Sequence, residues 1–262
     1  MSQYTFYAKF HKKRIIRWIR EWFDQNGPGC NAVLGISGGK DSSIAAALCV
    51  EALGADRVIG VLMPNGAQYD ICDSVKLCES LGIRNITINI KAAVDAVLDA
   101  MDAIFVPDRD GFESIEITEQ TKQNLPPRIR MSTLYAVSQS MNGRVVNTCN
   151  LSETIIGWET RWGDAVGDFS PFADLTATEV IEIGKLCDIP IELVVKKPAD
   201  GLCGKTDEDA FGFTYIQLDE YLRTGETDAD VLTKIQKKEK GSTFKRREIP
   251  KYQSGIKNFG NW

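Results

Sequence analysis

The sequence predicts an α/β fold in which a doubly wound parallel sheet carries flanking helices on both faces. Short apolar runs alternate with helical patterns through the first half, and glycines follow several of these patterns. No Pro/Gly-rich linker divides the 262 residues. Alternating strands and helices are typical of parallel sheets with crossover helices. A chain of this length can form one large domain, so we expect residues 1–262 to be a single domain.

Three strand–helix pairs are predicted in the first half. Their strands are "NAVLGI" (31–36), "RVIGVLM" (57–63) and "NITINI" (85–90), and their helices cover 41–53, 69–81 and 92–101. Gly54 and Gly82 follow the first two helical patterns, where glycine commonly ends a helix. Before these pairs, apolar residues between Phe10 and Phe23 recur at helical spacing, which indicates an amphipathic helix.

The second half continues the same pattern less regularly. Residues 102–124 are polar and predict an irregular connection. Helical periodicity resumes behind Pro126 and Pro127, and "RVVNTCN" is a fourth strand. The predicted elements are helices over 128–141, 177–187, 207–222 and 228–240 and a strand over 144–150.

Composition excludes several classes of protein. The net charge is −5, from 31 basic and 36 acidic residues, which does not favour nucleic acid as a partner. No segment approaches the roughly 20 apolar residues that cross a bilayer, and the basic start lacks a signal-peptide pattern. Seven cysteines without a CxxC pair predict reduced thiols and a cytoplasmic protein. A single histidine, His11, excludes a multi-His zinc site, and its place on the charged side of the first predicted helix does not favour a Ser-His-Asp triad.

The segment "GISGGKDS" (35–42) lies between a predicted strand and a predicted helix. Glycine lets another group approach the backbone closely, and a helix N-terminus attracts anions. A turn that only caps the helix needs one Ser or Asp, whereas this segment holds three glycines, two serines and an aspartate. It therefore predicts a phosphate-binding loop. The Walker pattern fails because Leu34 and Asp41 stand at two of its fixed positions, and the spacing of Gly35, Gly38 and Gly39 excludes G-x-G-x-x-G.

The pattern S-G-G-x-D-S after a strand resembles the loop of the N-type ATP pyrophosphatases, whose fold is adenine nucleotide α-hydrolase-like. The resemblance implies that ATP is split to AMP and pyrophosphate. It also implies a set of ATP-phosphate ligands: Gly35, Ile36, Ser37, Gly38, Gly39, Lys40, Asp41 and Ser42. Asp41 suits Mg²⁺, which takes one or two carboxylates together with phosphate oxygens and water.

Three later segments resemble the NAD synthetases within that superfamily. They are 125–139, 147–175 and 196–222, and the likeness extends from about residue 14 to 247. It implies ATP-dependent amidation of deamido-NAD by ammonia through an acyl-adenylate, with Mg²⁺ and ATP required. It also implies a homodimer. Only thirty-four residues precede the glycine loop and no other segment could house a glutaminase domain, so we expect free ammonia as the direct donor, with a separate glutaminase protein as the alternative source. Such chemistry depends on positioning and on neutralising phosphate charge rather than on a triad.

The resemblance assigns roles to individual positions. Asp41 and Glu153 act through a bound metal, and Thr148 contacts ATP. The residues assigned to deamido-NAD are Arg128, Arg161, Asp168, Phe244 and Lys245. Three positions depart from the family pattern: Ala177 where many members have lysine, Ala199 where they have Ser or Thr, and Phe244 where many have His.

Other interpretations remain open at this point. Glu153 follows Ser152 after a strand and could cap a helix, Trp158, Trp162 and Phe169 could be plain core, and Arg130 could be a solvated helix residue. Lys196, Lys197 or Lys205 could replace the lysine missing at position 177. The alternatives for function are a nucleotide-binding protein with weak or no turnover and a tRNA-thiolating enzyme. The latter usually needs paired catalytic cysteines and a nucleic-acid-binding appendage.

Overall fold

A computed structural model of the chain describes residues 4–108, 111–114, 116–196 and 207–252. Between residues 105 and 114 the description covers the backbone alone.

The central sheet has four parallel strands. They are β1 (Asn31–Gly35), β2 (Val58–Leu62), β3 (Arg84–Thr87) and, after a separate hairpin of β4 (Phe105–Asp108) and β5 (Gly111–Ser114), β6 (Gly143–Val145). Their order in the sheet is β3-β2-β1-β6, and Val33 of β1 lies beside Ile59 on one side and Val145 on the other. The chain moves outward from β1 to β3 and then returns to the far side of β1. This is the predicted doubly wound topology, which is confirmed.

Helices cover both faces of this sheet. Alternate residues of β1 divide the core: Leu34 belongs to an apolar cluster with α1 (Ala8–Asn26), α2 (Lys40–Leu53) and α3 (Ile71–Leu81). Val33, the neighbouring residue, belongs to a cluster on the opposite face with the next two helices, α4 (Lys91–Asp102) and α5 (Glu119–Ser140). Such alternation follows from the two-residue period of a strand.

A third apolar cluster lies in the C-terminal part of the chain. It gathers Ile156, Phe211, Leu218 and Ile235. The elements there are α6 (Leu151–Ile156), α7 (Ala177–Gly184), α8 (Ile191–Val194), α9 (Asp207–Phe211), α10 (Tyr215–Thr224) and α11 (Ala229–Arg246). Within the described ranges, no helix combines the length and apolar character needed to cross a bilayer.

The expectation that residues 102–124 form an irregular connection was wrong. They contain the β4–β5 hairpin and the first turns of α5, which begins at Glu119 rather than behind the prolines. The Thr118 hydroxyl accepts a hydrogen bond from Thr121 N at 3.2 Å and caps the helix there. Pro126 and Pro127 lie inside α5, because a proline restricts the turn before it without forbidding a helix that is stabilised elsewhere.

The single helix predicted over 207–222 was also wrong. It is divided into α9 and α10 because Gly212 adopts a left-handed φ of +73°. Thr214 then starts α10 with a capping box, in which Thr214 N donates to Gln217 Oε1 at 2.9 Å. The predicted strand 144–150 is shorter than expected, since β6 ends at Val145 and α6 begins at Leu151.

Candidate functional site

The candidate site lies where the sheet topology reverses. In open α/β sheets, ligands bind beyond the carboxyl ends of the two strands at which the strand order changes direction. Here those strands are β1 and β6. The glycine loop 35–42 continues from β1, and the segment 146–153 continues from β6, so the topology brings the two predicted halves of the ATP site together.

The glycine loop is closely packed and ends at the start of α2. Gly38 has a φ of +78°, and a Cβ built there lies 3.2 Å from Ser74 Oγ. Ser37 Oγ accepts a hydrogen bond from Gly39 N at 3.2 Å and lies 3.1 Å from Ser42 Oγ. Only glycine suits position 38, and the serines fix the loop ahead of a 14-residue helix whose N-terminus favours anions.

Asp41 joins the two halves of the site. Its Oδ2 lies 2.7 Å from Lys40 Nζ, and its Oδ1 accepts a hydrogen bond from Asn150 Nδ2 at 3.2 Å. Lys40 is only 4% exposed, and its ammonium lies 5.6 Å from the ring centroid of Tyr215. A buried ammonium therefore lies beside the carboxylate expected to bind a metal.

Glu153 is both a helix cap and a neighbour of Asp41. Its Oε2 accepts from Asn150 N, and its own N donates to Asn150 Oδ1, each at 3.1 Å. The cap considered from the sequence is thus confirmed, and the metal role is compatible with it. Burial and the charge of Asp41 raise the pKa of Glu153 to about 8. Burial lowers the pKa of Lys40, but the charges of Asp41 and Glu153 outweigh it and leave that pKa raised.

These residues fit a magnesium ion held together with phosphate. Two carboxylates repel each other in a buried place, and a divalent cation relieves that repulsion. In the part of the chain that the structure describes, no group of three or more His, Cys, Asp or Glu side chains forms a complete metal cage. Mg²⁺ does not need one, because it completes its coordination with phosphate oxygens and water.

A second set of predicted residues meets around the segment that follows the C-terminal end of α6. Arg128 Nε donates to the backbone oxygen of Arg161 at 3.3 Å. The Arg161 guanidinium lies 4.9 Å from the Trp162 ring and 5.8 Å from the Phe244 ring. Lys245 Nζ donates to Gly157 O at 2.7 Å and to Glu159 O at 2.6 Å. We call Arg128, Arg161, Phe244 and Lys245 the basic shelf.

The basic shelf has features of an anion site. Among the described residues, Arg161 Nε is a buried side-chain nitrogen without a hydrogen-bond partner. Burial lowers the pKa of Lys245. The negative charges of Glu159 and Asp164 oppose this change, and the positive charge of Arg128 adds to it. Trp162, 46% exposed, has a left-handed φ of +63°, a conformation unusual for a bulky residue and common at functional sites.

Thr148 and Asp168 occupy different places. Thr148 is half-buried in the segment between β6 and Asn150, and its contact with ATP stays a prediction. Asp168 accepts hydrogen bonds from Val145 N at 2.7 Å and from the Tyr135 hydroxyl at 3.3 Å. Its described contacts are therefore with β6 and α5, not with the basic shelf, and its substrate contact stays a prediction.

The positions that depart from the family pattern differ in their surroundings. Ala177 is fully buried at the start of α7, in the C-terminal apolar cluster. Lys196 Nζ is paired with Asp70 at 2.9 Å and with Asp73 at 2.7 Å, so it is already neutralised beside the glycine loop. Arg130, for which the sequence leaves a solvated position open, is partly buried and donates to Met63 O at 3.0 Å. Ala199, Lys197 and Lys205 lie outside the described residues.

Sequence reasoning missed three members of the site. Asn150 was detectable, because Asn-x-x-Glu is a capping-box spacing. Tyr215 and Trp162 carry no local signal: the first reaches Lys40 through tertiary packing, and the second is distinguished by its backbone conformation.

Known proteins are similar to this chain in architecture and in sequence. The NAD synthase family model matches residues 11–252. An NH(3)-dependent NAD(+) synthetase of Thermococcus kodakarensis is 39% identical over 209 residues, 79% of this chain and 77% of that protein. One of Finegoldia magna is 34% identical over 97% of this chain and 99% of that protein. The solved structure of an NMN synthetase from Francisella tularensis has a TM-score of 0.83 and 30% identity, covering 95% of this chain and 99% of that one.

Proposed function

The chain belongs to the NAD synthase family, and we propose that it amidates deamido-NAD to NAD with ATP and ammonia. A nicotinate carboxylate oxygen bonds to the α-phosphorus of ATP, the bond from that phosphorus to the β-phosphate oxygen breaks, and pyrophosphate leaves. Ammonia then bonds to the acyl carbon, the bond to AMP breaks, and one proton passes to solvent. The names of the relatives, which align over most of this chain, support ammonia as the nitrogen donor.

The meeting of Asp41 and Glu153 through Asn150 carries the proposal. It places two carboxylates beside a loop whose glycines and helix N-terminus suit phosphate. Asp41 and Glu153 would hold Mg²⁺, and a bound Mg²⁺ neutralises charge on the phosphates. The residues of the loop from Gly35 to Ser42 bind and orient the phosphates. Thr148 lies in the segment that connects β6 to the helix of Glu153, on the other side of the same strand switch, and is expected to join them.

The basic shelf supplies the place for the second substrate. Deamido-NAD carries phosphates, a carboxylate and two aromatic rings. Arg128, Arg161 and Lys245 provide cations for the acidic groups, and Trp162 and Phe244 provide ring faces. Since the two substrates repel each other by charge, binding them on cationic groups lowers the cost of bringing carboxylate and phosphorus together.

The test is product analysis with the purified chain. ATP, deamido-NAD, Mg²⁺ and ¹⁵N-ammonium should yield equal amounts of AMP, pyrophosphate and ¹⁵N-labelled NAD, separated by chromatography and mass spectrometry. Glutamine in place of ammonium should give none. Bound ATP without AMP would favour a nucleotide-binding protein. AMP that forms only in the presence of tRNA would favour a thiolating enzyme.

A second substrate has a specific observation in its favour. The similar structure from Francisella tularensis is named an NMN synthetase. Nicotinate mononucleotide presents the same carboxylate on a smaller anion, so the same chemistry could serve it. Comparing kcat/KM for the mononucleotide and for deamido-NAD decides between them, and we expect deamido-NAD to be preferred because the curated relatives are NAD synthetases.

We also propose that the enzyme works in the cytoplasm as a homodimer and needs no nucleic acid. The six cysteines within the described ranges are free thiols, which suits a reducing compartment. Light scattering on the purified protein tests the dimer.

A further inference from the structure

Asp219 of α10 is a buried carboxylate outside the predicted site. It is 4% exposed and accepts a hydrogen bond from Thr178 N at 2.8 Å through Oδ2. Its other oxygen, Oδ1, accepts from the hydroxyl of Ser152. Thr178 belongs to the first turn of α7, and Ser152 to the first turn of α6. One side chain from a third helix therefore contacts the N-termini of two others.

Ser152 extends this connection. Its Oγ accepts a hydrogen bond from Ala177 N at 3.0 Å while its proton goes to Asp219. Ser152 is fully buried and immediately precedes Glu153. The arrangement Asp219–Ser152–Ala177 thus fixes the backbone that carries Glu153 relative to both α7 and α10.

The short length of α6 makes such an anchor necessary. It has only six residues, fewer than the roughly 12 that make an isolated helix even marginally stable. Its C-terminal end is held by Arg246, whose Nη1 donates to Thr154 O at 2.9 Å and to Ile155 O at 2.6 Å. Its N-terminal end, where Glu153 faces Asp41, depends on the Asn150 capping box and on Asp219.

A buried carboxylate connects helices only at a large desolvation cost. Within the described residues, the hydrogen-bond donors to Asp219 are neutral groups, so no cation offsets its desolvation. Two backbone or hydroxyl donors aimed at one rigid carboxylate do, however, fix both distance and direction. A small displacement of Glu153 changes the distance between its carboxylate and that of Asp41. Mg²⁺ is sensitive to this distance because it requires a strict octahedral geometry.

We infer that Asp219 is a positioning residue that holds Glu153 at metal-binding distance from Asp41 by way of Ser152. The inference rests on the proposed metal role of Glu153. It adds to the site a residue that touches neither substrate.

Asp219→Asn tests it, because the amide replaces one acceptor oxygen by a donor that faces Ser152 or Thr178 N. We expect the Mg²⁺ concentration for half-maximal activity to rise at least about 10-fold, with a smaller change in kcat at saturating Mg²⁺. Ser152→Ala, which keeps the carboxylate and removes the link, should shift the Mg²⁺ requirement in the same direction. Glu220→Gln, at the exposed neighbouring position on α10, is the matched control and should change nothing.

A second measurement separates this inference from the proposed reaction. Mg²⁺ in the presence of ATP should raise the melting temperature of the wild type, and Asp219→Asn should require at least about 10-fold more Mg²⁺ for the same rise. This readout needs no deamido-NAD, so failure to make NAD would refute the function and leave the inference standing. In a Glu153→Gln background, Asp219→Asn should have no further effect on the Mg²⁺ requirement. The inference would be overturned if Asp219→Asn lost the same fraction of activity at every Mg²⁺ concentration. It would also be overturned if Asp219→Asn changed the Mg²⁺ requirement as much in the Glu153→Gln background as in the wild type.

Discussion

Replacing Glu153 by glutamine should remove a large pH dependence of folding stability in the absence of metal. Glu153 is buried, and burial with the charge of Asp41 raises its pKa from 4.5 to about 8. A raised pKa means that the folded protein binds the proton more tightly than the unfolded chain does. The stabilisation from that proton is therefore complete below about pH 4.5 and is lost as the pH rises towards 8.

The size of the effect follows from the shift. Each pKa unit corresponds to about 1.4 kcal/mol, and the interval from about pH 5.5 to the raised pKa of about 8 spans about 2.5 units. Between about pH 5.5 and pH 8.5, the wild type should thus lose roughly 3 kcal/mol more free energy of unfolding than Glu153→Gln. Burial also raises the pKa of Asp219, which remains in the variant and cancels in the difference. Asp164 remains in the variant too, and its charge is one of the causes that raise the pKa of Glu153.

Urea unfolding followed by circular dichroism, in chelator and at several pH values, measures this difference. Glu182→Gln, an exposed carboxylate on α7, is the control and should follow the wild type. Saturating Mg²⁺ and ATP should flatten the wild-type dependence, because a metal ion favours the ionised carboxylate. Parallel curves for wild type and Glu153→Gln in chelator would refute the reasoning, since Glu153 would then be ionised without cost.

Three further predictions address the other parts of the site. Asp41→Asn should reduce AMP formation at least about 100-fold at saturating ATP, since the amide gives up a charge-assisted contact; undiminished NAD synthesis would contradict this. Arg161→Lys should raise the KM for deamido-NAD about 10-fold and leave that for ATP unchanged, because lysine keeps the charge but loses the planar stacking; equal changes in both would contradict it. Gly157→Ala should cost roughly 2–5 kcal/mol in urea unfolding, because φ is +69° and the added Cβ would lie 2.1 Å from Ser242 Cβ. Ser242→Gly should recover part of that loss, and no recovery would show that the contact is not its cause.

Local pattern and topology together were sufficient for the fold class and for the position of the glycine loop. Alternation of strands and helices predicted a parallel sheet, and the position of "GISGGKDS" after β1 placed the loop at its carboxyl edge. The start of α5 was missed because two prolines are a stronger local signal than the Thr118 cap that precedes them. The break between α9 and α10 depends on the left-handed backbone of Gly212, which a helical apolar pattern hides.

The sequence predicted only part of the candidate site, because family resemblance finds only the residues to which the family assigns a role. Resemblance to a family assigns roles position by position, and Arg128, Arg161, Phe244 and Lys245 do meet on one shelf. It says nothing of residues that act through packing. Asp219 lies in "QLDEYL", which is typical of an exposed helix face, and only the tertiary structure shows that this carboxylate is buried between α6 and α7.

The charges at Asp41 and Glu153 and on the basic shelf lead us to expect that each substrate completes a different part of the site. Near α2, Asp41 and Glu153 share one ammonium, so the pKa of Glu153 stays raised until a divalent cation supplies positive charge for the second carboxylate. On the basic shelf, Arg128, Arg161 and Lys245 are cations whose described hydrogen bonds go to backbone oxygens, an excess of positive charge that an anionic dinucleotide corrects. Because the segment 151–161 connects the metal site to the basic shelf, displacing α6 disturbs both places at once. Changes at Asp219 should therefore act first on the metal, the partner with the stricter geometry, and only then on deamido-NAD.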